Sequence, residues 1–138
     1  MASDISQDLR AEVARRADHR CEYRLIGEDD AGFPHQIDHI VSRKHGGLST
    51  PENLAYACVL CNRHKGSDVP SIDPQTGEAI LLFHARRDRW TDHFRLDGAR
   101  IEPISAVGRL TAQLLRLNAA ERLAERRLLQ SLDLYPSN

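Results

Sequence analysis

Ile5, Leu9 and Val13 recur every four residues between charged neighbours, which lays them on one face of an amphipathic helix from Asp4 to about Ala17. That helix leads directly into Cys21. The acidic stretch GEDDAGFP (27–34) then reads as a loop, and QIDHIV (36–41) as a short β-favouring run that Gly46 and Gly47 bring to an end. Thr50 before Pro51 marks a tight turn or the first turn of a short helix, because proline lacks only a donor that would be orphaned there anyway. LAYA (54–57) resumes as a strand, and NRHKGSD (62–68) begins a helix with Asn62 near its amino end.

In the second half, PSIDPQTGEAILLF (70–83) reads as a Pro/Gly turn followed by a short apolar strand, and FHARRDRWTDHF (83–94) as a mixed charged and aromatic stretch. Leu110, Leu114 and Leu117 have helical spacing. Asn118 followed by Glu121 resembles a capping box that opens a last helix, with Leu123, Leu128 and Leu132 facing inward. No internal repeat, low-complexity tract or long linker divides the chain, so residues 1–138 are read as a single domain.

Composition narrows the class only a little. With 138 residues and 41% hydrophobic content the chain can bury a core without help from a metal. Nineteen basic against twenty acidic residues give a net charge of -1, so charge alone does not announce a nucleic-acid partner. The amino-terminal stretch has no apolar segment after a basic start, and no run has the length to span a bilayer; a membrane role is not expected. Three cysteines, an odd number at metal-like spacing, suit a reducing compartment, and a cytoplasmic location is expected.

The spacing of those cysteines carries the first chemistry. Cys58 and Cys61 form a C-x-x-C pair, half of a tetrahedral zinc site. Upstream, CEYR supplies Cys21 but puts Arg24 where the second cysteine of a matching pair would stand. A guanidinium has only donors to offer, so Arg24 cannot coordinate zinc, although it can take that position as a cation. His19 and His35 are the nearest substitute ligands by sequence; without a metal, the small apolar cysteines can simply pack.

Taken together and in order, IDHIV, HGG, PENLAYAC and CNRHKG resemble the HNH endonuclease family. The core of the resemblance covers residues 19–66. RADHRCEYR upstream also matches, and GSD, IDPQTGE, FHARRDRW and HF downstream look like a small bacterial HNH subgroup. The resemblance implies an α+β fold: a ββα-metal core with an amino-terminal helix, then a strand and helical extension over 67–132. It also implies DNA as partner and phosphodiester hydrolysis as reaction, with RNA left open.

Residue by residue, the resemblance makes His39 the general base, a role that suits an imidazole titrating near pH 7. Asp38 and Asn62 would supply hard oxygens to one divalent ion, Mg²⁺ or Mn²⁺ with Ni²⁺ as a further option. Asn53 would orient the histidine. His64 competes with Asn62 for the last motif position, but the family's terminal ligand directly follows the second cysteine, which selects Asn62. Cys21, Cys58 and Cys61 would form a degenerate zinc site. Arg43, Lys44, Arg63 and Lys65 would meet the phosphate backbone. Arg86, Arg87, Arg89 and Trp90 are weaker contacts, since interleaved aspartates equally imply intramolecular pairing.

Taken singly, these residues have ordinary roles: Asn62 as a helix cap, Asn53 as a turn residue, Asp38 and His39 as a surface pair. Two other readings therefore stand beside the nuclease. One is a DNA-binding module without useful hydrolysis; the other is an interaction domain on an HNH-like scaffold. A nuclease of this kind cuts one strand per site, and a homodimer would cut both.

Overall fold

A computed structural model describes residues 5–66, 70–73 and 75–136. The first helix, α1 (Gln7–Arg16), is capped by Ser6, whose hydroxyl accepts from the Leu9 N–H at 3.1 Å. Asp4, the expected start, lies outside the described residues. Val13 is fully buried, and Ile5 and Leu9 pack around the same small cluster with Leu54 and Tyr56.

Strand β1 (Gln36–His39) pairs antiparallel with β2 (Leu54–Ala57), His39 opposite Leu54 and Asp38 opposite Ala55. The connection holds two short 3₁₀ turns, Arg43–His45 and Pro51–Asn53. Its glycines serve different needs. Gly46 has φ +87°, and a side chain on Gly47 would meet the Val41 carbonyl oxygen at 1.7 Å. β2 is buried on both faces and runs into α2 (Val59–Lys65), which lies across β1 and completes a ββα unit.

Helix α2 begins three residues before the expected Asn62. Cys58 is its cap, the sulfur accepting the Cys61 N–H at 3.4 Å, so the C-x-x-C pair itself forms the first turn. Ser67 and Asp68, the last residues of the NRHKGSD stretch expected to begin this helix, lie outside the described residues.

Beyond the ββα unit, β3 (Pro70–Ile72) pairs with β4 (Ala79–Leu81), so the turn expected at Pro70 is a strand of a small hairpin. A four-residue helix α3 (Trp90–His93) precedes the ribbon β5 (Phe94–Asp97) and β6 (Arg100–Pro103). Helices α4 (Ala106–Leu114) and α5 (Ala120–Ser131) follow. The fold class is α+β. One core cluster takes Cys21, Tyr23, Ile26, Cys58 and Cys61 from the ββα side and Phe83, Phe94, Ile101, Leu117, Leu129 and Tyr135 from the carboxyl-terminal side.

Two expectations for α5 need correction. Asn118 does not cap it: its amide oxygen accepts from Ile101 N–H (2.8 Å) and Arg126 (3.0 Å), and its amide nitrogen donates to the Ile101 carbonyl. Leu128 and Leu132 are 61% and 57% exposed, because α5 turns Arg126 and Leu129 inward instead. Arg126 is buried for a definite reason, since its Nε reaches the Ala99 carbonyl at 2.6 Å.

Candidate active site and cysteine cluster

The resemblance implies a twist or bulge that brings Asp38 and His39 together, but the β1 register runs unbroken through both, so ordinary alternation sends the two side chains to opposite faces. Asp38 is 2% exposed. Its Oδ2 accepts from the Tyr23 hydroxyl at 2.6 Å, and its Oδ1 from the Lys65 ammonium at 3.2 Å. Burial pushes the Asp38 carboxyl above its ordinary value, against the opposing pull of Lys65 and Tyr23. Lys65 also donates to the carbonyls of His39 and Ile40, each at 3.2 Å.

Lys65 is therefore not a phosphate contact as it stands. Expected at the surface, it is 1% exposed and surrounded by three oxygens of β1 and its continuation. Three residues earlier on the same face of α2, Asn62 donates its amide to Gln36 Oε1 at 2.7 Å. Gln36 and Asp38 share a face of β1, so two parallel rungs, Asn62 to Gln36 and Lys65 to Asp38, join helix to strand.

His39 is half-buried at the end of β1, with Nε2 2.8 Å from the Ser49 hydroxyl. Asn53 closes the loop behind it. Its Oδ1 accepts the Val41 N–H at 2.9 Å, and its Nδ2 donates to the carbonyls of Val41 (2.9 Å) and Leu48 (2.8 Å). Any side chain on Gly47 would also approach this amide, at 2.8 Å, so the glycine and asparagine fit as a pair. Arg43 and Lys44 are exposed in the same loop, and Arg63 is exposed on α2.

His64 lines a cavity of ≈ 160 Å³ with Arg24, Leu115 and Arg122, away from the face that Asn62 and Lys65 turn to β1. Of the more distant basic segment, Arg86 pairs with Glu22, while the Trp90 indole donates to the Tyr23 carbonyl at 2.8 Å and stacks near Phe94. Those two side chains hold the fold together.

Cys21, Cys58 and Cys61 are free, buried, and mutually within 4.8 Å at their sulfurs, close enough to hold a metal ion. Among the described residues no histidine or carboxylate joins them. His35 instead has its Nε2 3.0 Å from the Ile26 carbonyl, and His19 lies 3.8 Å from Glu28, so neither substitutes for the missing ligand. Arg24 stands beside the cluster, donating from Nε to Cys58 Sγ at 3.0 Å. Hydrogen bonds from Cys21 and Cys61, with the guanidinium's help, hold the Cys58 thiol well below its ordinary value, while burial pushes Cys21 up to about 12.

A model of the HNH endonuclease family matches residues 19–68. The matched span runs from the turn before Cys21 through β1, β2 and α2. Residues 19–68 are an HNH domain. The comparisons with curated proteins and with solved structures gave no match. An HNH domain points to a nuclease or DNA-binding function and to a bound metal ion.

The donors fit such an ion in kind. Asp38 and Asn62 are hard-oxygen groups on the facing sides of β1 and α2, but as placed Asp38 is 2% exposed with its oxygens on Tyr23 and the Lys65 ammonium, and the Asn62 amide is tied to Gln36, so an ion would have to displace Lys65. The three-cysteine cluster fits zinc poorly, since a closed structural site takes four ligands and the neighbouring position here is a donor. Three participants escaped sequence reasoning. Tyr23, Gln36 and Ser49 were invisible because their partners are fixed by strand register and loop packing, and no short spacing encodes either.

Proposed function

We propose that this chain is an HNH endonuclease that hydrolyses DNA phosphodiesters, with His39 as the general base and a nicked strand as product. The observation that supports it most is the Asn53 clamp. Three hydrogen bonds from one carboxamide fix the loop that follows His39, and Ser49 from that loop holds the imidazole at 2.8 Å, an arrangement suited to keeping a base in one orientation. Asn53 and Ser49 act as positioning residues.

Asp38 and Asn62 would hold the divalent ion, which requires Lys65 to withdraw from Asp38 and the Asp38 carboxylate to turn toward the His39 side of β1; when bound the ion supplies Lewis-acid stabilisation of the phosphoryl oxygens. Of the two candidates for the last motif position, Asn62 is favoured because it faces β1 and His64 does not. Arg43 and Lys44, exposed in the loop after His39, offer their charge to phosphates there, and Arg63, exposed on α2, offers a further phosphate contact. Three free buried thiols suit a reducing cytoplasm.

The test is relaxation of supercoiled plasmid with Mg²⁺, Mn²⁺ or Ni²⁺. His39→Ala is expected to lower nicking by about 10²–10⁴-fold while circular dichroism stays unchanged. Linear product from the native chain would report two copies acting together. Retardation of DNA with no cutting in any metal would replace this reading with the binding module, and neither cutting nor retardation would favour an interaction scaffold.

A further inference from the structure

We propose that this chain closes its cysteine cluster without zinc, with Arg24 standing in for the ion and pinning the HNH domain to helix α5. The guanidinium is held from two directions. Nε donates to Cys58 Sγ at 3.0 Å, and Nη1 donates to Glu125 Oε1 on α5 at 2.8 Å. The main chain of the same residue is held from a third, where the Tyr135 hydroxyl donates to the Arg24 carbonyl at 2.5 Å. Arg24 is 3% exposed, so these contacts replace water almost entirely.

A structural zinc joins distant segments by taking one ligand from each. Here the same joining is done by hydrogen bonds. Arg24 links Cys58, at the start of α2, to Glu125, which lies 101 residues beyond Arg24 in the chain. The planar fork of arginine suits this, because separate nitrogens reach a sulfur and a carboxylate at once. For zinc to gain a fourth ligand, Arg24 would have to leave, stripping Glu125 of this partner and leaving a long cation to be placed elsewhere. No other His, Cys, Asp or Glu among the described residues is positioned to take its place.

The experiment measures zinc per chain by mass spectrometry and the melting temperature with and without EDTA, using full-length protein expressed in zinc-supplemented medium. Neither readout involves DNA, so the result stands apart from the nuclease reading. The native chain is expected to carry far less than stoichiometric zinc and to melt at the same temperature in chelator. Arg24→Cys is expected to gain stoichiometric zinc and chelator sensitivity; should that variant fail to fold, the native measurements decide alone. Glu125→Gln and Arg24→Lys are each expected to lower the native melting temperature by about 2–8 °C. Stoichiometric zinc in the native chain, lost to EDTA with a fall in melting temperature, would overturn the proposal. Unchanged melting of both Glu125→Gln and Arg24→Lys would overturn the pinning role.

Discussion

Two of the buried cations, Lys65 and Arg24, work at different ranges. Lys65 sits among three oxygens contributed by β1 and the residue after it, all within 27 positions of itself, and so locks the ββα unit internally. Arg24 reaches outward, from the HNH domain to α5. The choice of residue matches the distance to be covered, since a compact ammonium fits a small cage of oxygens, whereas a guanidinium bridges partners that lie apart. The solvent differs as well. Lys65 and Asp38 are 1% and 2% exposed, but Glu125 keeps 28% exposure. Loss of the first cation strands a charge in the core; loss of the second leaves its carboxylate within reach of water.

That contrast can be broken experimentally. Lys65→Met is expected to cost about 3–5 kcal/mol in urea unfolding, because it leaves the Asp38 carboxylate buried with only Tyr23 beside it. Tyr23→Phe removes the other donor to Asp38 and should cost about 1.5–3 kcal/mol by the same measurement. Arg24→Met should cost less, about 1–2 kcal/mol, since Glu125 can rehydrate and the buried Cys58 sulfur, unlike a stranded carboxylate, can pack as a neutral thiol. Equal losses for Lys65→Met and Arg24→Met would erase the distinction drawn between the two sites.

The smallest effect concerns pH. Burial pushes the Glu28 carboxyl up, but the Tyr56 hydroxyl at 2.7 Å and the His35 N–H at 2.9 Å outweigh it, leaving the group below its ordinary value of 4.5. A carboxyl depressed on folding adds stability above its unfolded value, and that contribution disappears as pH falls through the folded one. Glu28→Gln should therefore cost about 1 kcal/mol at pH 7, with the gap to the native chain closing below about pH 4.5 in urea titrations.

Much of the ββα unit was legible because its signals are local. Apolar spacing placed α1, β-favouring residues placed β1 and β2, and Thr50 with Pro51 placed the turn at Pro51–Asn53. The start of α2 was misplaced because a cysteine is an unusual cap, and its sulfur takes the place that a Ser or Asp oxygen normally fills. In α5 the leucine pattern misled for a tertiary reason: Arg126 has backbone and amide partners waiting inside, so a charged residue takes the inward position and leucines remain outside. At the candidate site, motif order singles out Asp38, His39, Asn53 and Asn62, yet nothing in the order of residues reveals that Lys65 would turn inward to Asp38.

The Tyr135 bond to the Arg24 carbonyl bears on how the protein is made. During synthesis the Lys65 cage can assemble as soon as the first half of the chain leaves the ribosome, but Arg24 must wait until residue 135 has been added. Until then the three thiols lack the carboxyl-terminal half of the core that buries them.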